Sequence, residues 1–450
     1  IWRDLSELSA TGKVDIERSY KAIGQNAKLK FGASHTYKRR DYEILFFDTQ
    51  FGSGQNWPNP EASEVLNPDN IFPNSPNGIF YNSGNNTPNS NAYESDVNNT
   101  GFYASNEMFF FEKLKTILGL RAENYVQRHT GRDQAFANGD LINGRNLDND
   151  EVLNSFHLFP SVNLIYGFTE NQNLRFSYTR SIARPSFKEL SFAQIIDPIT
   201  NRIFNGSLFR YADWNGELIE TLVNNLDLRW ELFQERGQLF SLSGFYKQFA
   251  DPIELVRIPE QQTSTEFQPR NVGNGQLFGV EIEIRKDLEF ISPKWTNFSL
   301  NGNVTFVESM IDMTATEFNA RNNFERTGET IKDTRQMSGQ APYVVNAGLG
   351  YSNTDKAIEI GIFYNVKGST LFIVGSGLYP DIYTEPFHSL NFSINKRFGE
   401  DDRTSLDFRV SNILNDKMET VYRSYETDDQ PFTVFTPGPS FSVGITHKFN

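Results

Sequence analysis

Hydrophobic and polar residues alternate with a period of two in segment after segment of this chain. Leu226, Leu228, Trp230 and Leu232 form one such run, and Val280, Ile282 and Ile284 alternate with Glu281, Glu283 and Arg285 in another. Phe298, Leu300, Gly302, Val304 and Phe306 follow, then Ile358, Ile360, Ile362, Tyr364 and Val366, then Leu406, Phe408 and Val410. Successive side chains of a strand point to opposite faces, so each run predicts a β-strand with one apolar and one polar face. The last segment, "FSVGITHKFN" (441–450), sets Phe441, Val443, Ile445 and Phe449 against Ser442, Gly444, Thr446 and Lys448. Chain ends usually fray; this alternation predicts an end held in a sheet.

Strands are predicted near 26–48, 95–110, 115–129, 154–168, 173–183, 223–235, 239–250, 276–287, 296–309, 343–353, 357–370, 386–398, 403–416 and 439–449. Tight links such as "FEKL" (111–114), "ENQN" (170–173), "ERGQ" (235–238), "NTDK" (353–356) and "GEDDR" (399–403) alternate with long ones. The long ones cover about 49–94, 130–153, 184–222, 251–275, 310–342, 371–385 and 417–438. A soluble sandwich or propeller has no reason to segregate loop length in this way. An outer-membrane barrel does, with short turns on the periplasmic side and long loops outside. The fold class expected is all-β, a transmembrane antiparallel up-and-down β-barrel, with residues 1–450 as a single barrel domain. Residues 12–20, "GKVDIERSY", read as the foot of a further strand before "KAIGQ" (21–25), so the chain is expected to begin mid-barrel.

Composition agrees once the two faces are counted separately. Mean hydropathy is −0.50, and no run of 18 or more apolar residues exists to make a transmembrane helix. Yet aromatics reach 14%, with 40 Phe and 18 Tyr. A barrel produces this combination because only alternate residues touch lipid. Phe109, Phe110, Phe111, Phe159, Tyr166 and Phe168 cluster where strands meet short turns and read as an interfacial girdle. The net charge of −14 disfavours nucleic acid, which requires a basic face. With no Cys, neither a disulfide framework nor a thiolate metal site is possible.

Nothing in the chain makes an enzyme. The five His (His35, His129, His157, His388, His447) lack metal-ligand spacing, "GNGQLFG" (273–279) lacks the G-x-G-x-x-G spacing, and no G-x-S-x-G elbow occurs. "DNDE" (148–151) and "EDDR" (400–403) read as solvated loop charge rather than calcium sites. Arg184 and Pro185 read as an interfacial anchor and the end of a strand ladder. Lumen rows such as Glu281, Glu283 and Arg285 are expected to pair with neighbouring lumen charges or with a plug. No catalytic residue, metal or cofactor is expected.

The stretch "LFPSVNLIYGFTENQNLRFSYTRSIARPSFKEL" (158–190) resembles the C-terminal half of TonB-dependent outer-membrane receptors, through Pro160, Asn163 and the Arg-Pro-Ser-Phe ending. "GLRAENY" (119–125), "NNLDLRWELF" (224–233), "GFYKQFADPIE" (244–254), "FGVEIEIRK" (278–286), "APYVVNAGLGY" (341–351) and "FRVSNILNDK" (408–417) match in the family's order. The resemblance implies the last 14–15 strands of a 22-stranded barrel, with the first strands and the plug outside this chain. It implies a receptor in the bacterial outer membrane, embedded in lipid, that imports a bulky scarce ligand: siderophore–iron, cobalamin, oligosaccharide or peptide. Energy would come from the TonB–ExbB–ExbD complex. A surface lipoprotein is a further possible partner, although the Arg-Asp-Gly-Ser-Ser strand of glycan importers is absent. The alternative is a barrel that does not transport, acting as scaffold, adhesin or secretion component.

The terminal Phe441, Val443, Ile445 and Phe449 resemble the signal read by the barrel-assembly machinery; Asn450 follows where the family stops on the aromatic. In the outer loops, Trp57, Phe72, Phe80 and Tyr81, and likewise Phe209, Tyr211 and Trp214, are the candidate ligand-binding residues. Each group could stack on a sugar or an aromatic siderophore, or pin its own loop. The loops show no basic cluster for an anionic siderophore.

Overall fold

The computed structural model describes residues 1–52, 61–71, 78–85, 87–197, 202–258 and 265–449. Fifteen antiparallel strands form one meander: β1 (Trp2–Ala22), β2 (Gln25–Leu45), β3 (Ala92–Phe110), β4 (Leu114–Arg132), β5 (Asn146–Thr169), β6 (Gln172–Ala183), β7 (Thr221–Phe233) and β8 (Leu239–Ala250), continuing through β9 (Gly275–Asp287), β10 (Phe298–Asp312), β11 (Tyr343–Asn353), β12 (Ile358–Lys367), β13 (Ser389–Phe398), β14 (Thr404–Ser411) and β15 (Ser440–His447). Every strand pairs with its sequence neighbour, and among the described residues no register joins β1 to β15.

Two features of the wall differ from the sequence reading. The stub at 12–20 is a full strand from Trp2, paired residue for residue with β2 from Trp2↔Leu45 to Ala22↔Gln25. "IWRDLSELSA" hides this because its alternation is broken by charge. The loop at 130–153 shrinks because β5 starts at Asn146 and follows β4 through two register shifts near Arg128 and His129. Bulges let a strand continue without strict alternation, which is the signal the sequence reading relies on.

Tight and long connections alternate, except that the link 288–297 between β9 and β10 is extended by two helical turns. The turn Ile23–Gly24 has φ of 51° and 75°, the left-handed pair that matches the twist of a two-residue hairpin.

Register places the two faces in rows. Leu300, Leu349, Ile362, Phe392, Val410 and Phe441 lie side by side across six strands. The opposite face carries Glu231, Ser241, Glu283, Asn303, Asn346 and Asn365 in one row. Arg229 reaches Glu283 at 2.7 Å and Glu231 at 3.0 Å, and Arg175 reaches Glu231 at 2.6 Å. The lumen charges therefore pair with one another along the wall. Exposed apolar side chains such as Leu228, Val280, Ile282 and Phe306 need no soluble partner, because lipid covers them.

Phe159 is not part of the girdle. It is 8% exposed and shares the inner face with His157, at 6.2 Å between ring centroids, one residue out of phase with exposed Phe156 and Leu158. Tyr166 and Phe168 do sit at the outer surface beside a turn, edge to face at 5.1 Å.

The first five strands have 19 to 24 residues, whereas a tilted transmembrane strand needs about 9–11. Their outer halves rise beyond the bilayer. There Tyr42, Ile44, Tyr93, Val97, Tyr125 and Leu153 form a buried surface onto which Phe187, Leu190, Phe192 and Leu218 of loop 184–220 pack.

A charge placed on the lipid face tests this assignment. Leu228→Arg should destabilise the folded wall by ~2–4 kcal/mol, whereas Ser393→Lys on the inner face should be tolerated. Urea unfolding in liposomes, followed by the shift of the unboiled band on gels, measures both.

Candidate functional site

The outer loops fold into a second layer of structure. Strands Gln194–Asp197, Arg202–Asn205, Thr265–Asn271 and Ile253–Arg257 form one small sheet, and Thr370–Ile373, Asp381–Thr384, Met418–Arg423 and Gln430–Phe435 form another. A bridge between Val256 and Val374 joins their edges. The Arg257 amide donates to the Val374 carbonyl at 3.1 Å, and the Val374 amide donates to that of Leu255 at 3.2 Å. Phe267, Ile373 and Ile382 are buried between the sheets, with Leu255, Tyr422 and Phe432 against them. Arg202 lies 3.7 Å over the Phe432 ring, tying the first sheet to the far end of the second. Four loops thus build one continuous cap at the outer end of the wall.

A charged clamp adds a fifth loop. Thr314 caps the helix Ala315–Asn322 by accepting from the Glu317 amide at 3.2 Å. Glu317 then holds Arg321 at 3.0 Å and Arg335 at 2.6 Å. Arg335 also holds Glu254 at 2.7 Å, and Arg321 grips Asp381 with two hydrogen bonds of 3.0 and 2.8 Å. Gly377, at φ 77°, fits against this helix where a Cβ would stand 2.3 Å from the Ala320 carbonyl; only glycine suits both the angle and the space.

These groups are buried, so their charges respond strongly to their surroundings. Burial raises the Glu254 carboxyl above its ordinary range, against the opposing pull of Arg335 and the Ser338 amide. Burial also works against the charge on Arg335, but Glu254 and Glu317 together outweigh it and hold its proton more tightly than usual. The two directions agree: Arg335 faces two carboxylates, whereas Glu254 faces a single guanidinium.

Beside the clamp lies a cavity of about 260 Å³ lined by Trp214, Arg257, Arg270, Asn271, Thr314, Thr316 and Ser376, with Asp213 and Glu317 also at its wall. Arg270 donates to Asp213 at 2.7 Å and to Gln268 at 2.9 Å. It faces the rings of Tyr211 and Trp214 at 5.7 and 5.6 Å. The sequence reading found no basic cluster in the loops, and that expectation is corrected here. Arg257, Arg270, Arg321 and Arg335 are scattered singly along the chain, and the cap brings them together. The one sequence signal was the polar alternation Glu266, Gln268, Arg270 in "TEFQPRN".

The aromatic candidates that the structure describes occupy three situations. Trp57 and Phe72 lie outside the described residues. Phe80 and Tyr81 sit on a separate hairpin, opposite Gln50 and Thr49, with Tyr81 exposed. Tyr211 and Trp214 close a small bridge, and the Trp214 indole donates to the Ser207 carbonyl at 2.7 Å. That bond fixes the ring at the cavity wall. Phe209 instead packs edge to face on Phe192 at 5.9 Å, in the loop core.

Arg184 also departs from its expected place. It lies 4.4 Å over the Tyr125 ring and 2.9 Å from Glu123. It helps line a larger cavity of about 670 Å³ with Glu7, Arg40, Gln127 and Phe187.

The family model described as TonB dependent receptor-like, beta-barrel, matches residues 5–413. The chain belongs to the TonB-dependent receptor β-barrel family. As a family member it supplies strands of an outer-membrane β-barrel and is not an enzyme. Among solved structures it is similar to the ferric-catecholate import receptor Fiu from Escherichia coli K12, at 12% identity and a TM-score of 0.61. It is also similar to the siderophore receptor PiuA from Acinetobacter baumannii (11%, 0.62) and the ferric yersiniabactin uptake receptor FyuA from Yersinia pestis (10%, 0.57). These matches cover 99%, 99% and 100% of this chain but only 55%, 56% and 55% of those proteins, so the chain spans just over half their length. No curated protein matches the sequence.

Two outcomes follow for the clamp. Arg335→Met leaves Glu254 and Glu317 without their shared cation, a loss of ~3–5 kcal/mol for a broken buried pair. It should open the cap to limited proteolysis while the unboiled barrel band stays unchanged. The raised Glu254 value means the folded cap binds this proton before the unfolded chain does. Cap stability should therefore rise as pH falls through the raised value and level off below the ordinary carboxylate range. Comparing protease resistance of wild type and Glu254→Gln across that window isolates this contribution, which the variant should lack.

Proposed function

We propose that the chain forms part of the wall and the outer mouth of a receptor for TonB-dependent active uptake of a bulky, scarce ligand. The observation that carries this reading is the cap: long loops folded into one packed unit above a wall whose inner face is polar and internally paired. A diffusion pore has no use for so large a folded structure across its mouth. A receptor does, because captured ligand must be held outside before transport. Siderophore–iron, cobalamin, oligosaccharide and peptide all suit such a vestibule. The solved receptors with the same fold named above bear siderophore-related names, which favours the first.

In this reading the wall is passive. Closing it in lipid requires pairing the edges of β1 and β15 through further strands, because no backbone polar group is left unpaired there. Energy enters from the TonB–ExbB–ExbD complex through a plug, and the cap residues hold ligand. Trp214 and Tyr211 are the aromatic residues best placed to do so, with Tyr81 on its separate hairpin. Phe209 supports the loop.

The row Phe441, Val443, Ile445 and Phe449, all exposed on β15 and just past it, is proposed as the handle for the barrel-assembly machinery. Phe449→Ser should then lower the amount of heat-modifiable protein in the outer membrane severalfold.

Uptake by cells with and without TonB tests the main proposal, using labelled ferric siderophores, cobalamin and oligosaccharides. Accumulation of one ligand that needs both this protein and TonB is expected. Equal accumulation without TonB would leave a non-transporting or passive barrel.

A further inference from the structure

The outward face of the wall changes character along one line. On β7, Leu232, Trp230, Leu228 and Leu226 point to lipid and are followed by Asn224. On β8, Phe240, Leu242, Gly244 and Tyr246 are followed by Gln248, and on β9, Ile284, Ile282, Val280 and Phe278 are followed by Gln276. On β6, Leu174, Phe176 and Tyr178 are followed by Arg180. Register sets the four polar residues side by side, Arg180↔Asn224↔Gln248↔Gln276. The row stands at the strand ends remote from the tight turns, and so at the outer surface of the bilayer.

Arg180 is alone there. No Asp or Glu occupies the outward face of these four strands. Among the described residues Arg180 makes no hydrogen bond or ion pair, and its Nε is buried without a partner. The residue as a whole is only half-buried, so its Nη groups carry the charge to the surface. Such a charge is costly to hold beside hydrocarbon. Two tyrosines aim the neighbouring amides. The Tyr178 hydroxyl donates to Asn224 Oδ1 at 3.2 Å, and the Tyr246 hydroxyl donates to Gln276 Oε1 at 3.0 Å. With those carbonyl oxygens taken, Asn224 and Gln276 offer their amide N–H groups. The row therefore presents donors and one positive charge at the level of the lipid headgroups.

We propose that Arg180, Asn224, Gln248 and Gln276 bind the phosphate-bearing headgroup of an anionic outer-leaflet lipid. Arginine suits the task because its planar fork meets two phosphate oxygens at once. Strands stand ~4.8 Å apart, so the row runs about 14 Å along the wall. That length suits a sugar–phosphate headgroup and exceeds a lone phosphate ion. A zwitterionic headgroup would find no carboxylate for its ammonium. The acyl chains of the same lipid would lie on Leu226, Leu228 and Val280, continuous with the rest of the lipid-covered face. The site lies outside the wall and does not depend on what the protein imports.

The test uses the full-length protein purified in detergent and stripped of lipid. It is titrated in mixed micelles with bisphosphorylated lipid A or with a neutral glycolipid of the same acyl length, and native mass spectrometry counts the lipid retained. Lipid A should be retained and the neutral glycolipid lost. Arg180→Gln should lower lipid A retention about tenfold, the worth of a charge-assisted hydrogen bond, and Arg180→Lys should recover it in part. Gln248→Leu should weaken it less, and Arg236→Gln, on the exposed turn at the opposite end of the wall, should retain lipid as wild type does. An unchanged unboiled band shows that the variants are folded. Equal retention by wild type and Arg180→Gln, or lipid A held no better than the neutral glycolipid, overturns the site. Displacement of lipid A by excess inorganic phosphate would mark a site for a free anion and overturn the lipid assignment.

Discussion

Lipid offers no hydrogen bonds, and the rest of this architecture answers to that. Each wall strand must pair its amides and carbonyls with neighbours on both sides, which forces a long meander of antiparallel strands. Once the backbone is committed to the ladder, side chains have two destinations, outward to acyl chains or inward to water. The row from Leu300 to Phe441 and the row from Glu231 to Asn365 are these two destinations, three residues and so one face apart on the strands they share. The inner row is stable because its charges neutralise one another, as Arg229 does between Glu231 and Glu283.

The cap follows a different rule. Above the bilayer the loops meet water on one side and one another on the other, so they must build their own core. They do so with short strands around Phe267, Ile373 and Ile382, and with the chain of ion pairs from Glu254 through Arg335, Glu317 and Arg321 to Asp381. Buried ion pairs add little net stability compared with apolar packing, but they penalise any arrangement that leaves one member alone. For five loops drawn from separate parts of the chain, that penalty selects one arrangement.

Reading residues in order recovered the wall well and the cap poorly. The period of two survives wherever the outer face meets lipid, which is why β7 to β10 were legible almost to the residue. It failed at Trp2–Ser9, where charge interrupts it, and at Asn146–Leu153, where a bulged partner does. Among the aromatic residues proposed for ligand, Trp214 lies at the wall of a cavity. Phe209, five residues away, was grouped with it on composition, yet it faces Phe192 in the loop core. Nothing local distinguishes those two rings.

The sequence by itself determined the strand faces, the turns and the alternation of tight and long connections, because these depend on contacts between neighbours in the chain and on the solvent each face meets. Only the tertiary structure decided what the long loops do. Arg257, Arg270, Arg321 and Arg335 are scattered singly along the chain, and their meeting depends on β-bridges and ion pairs between loops far apart in the chain. Such long-range partners leave no periodic trace, so the cap and the cavity beside Arg257 are visible only once the loops are folded together.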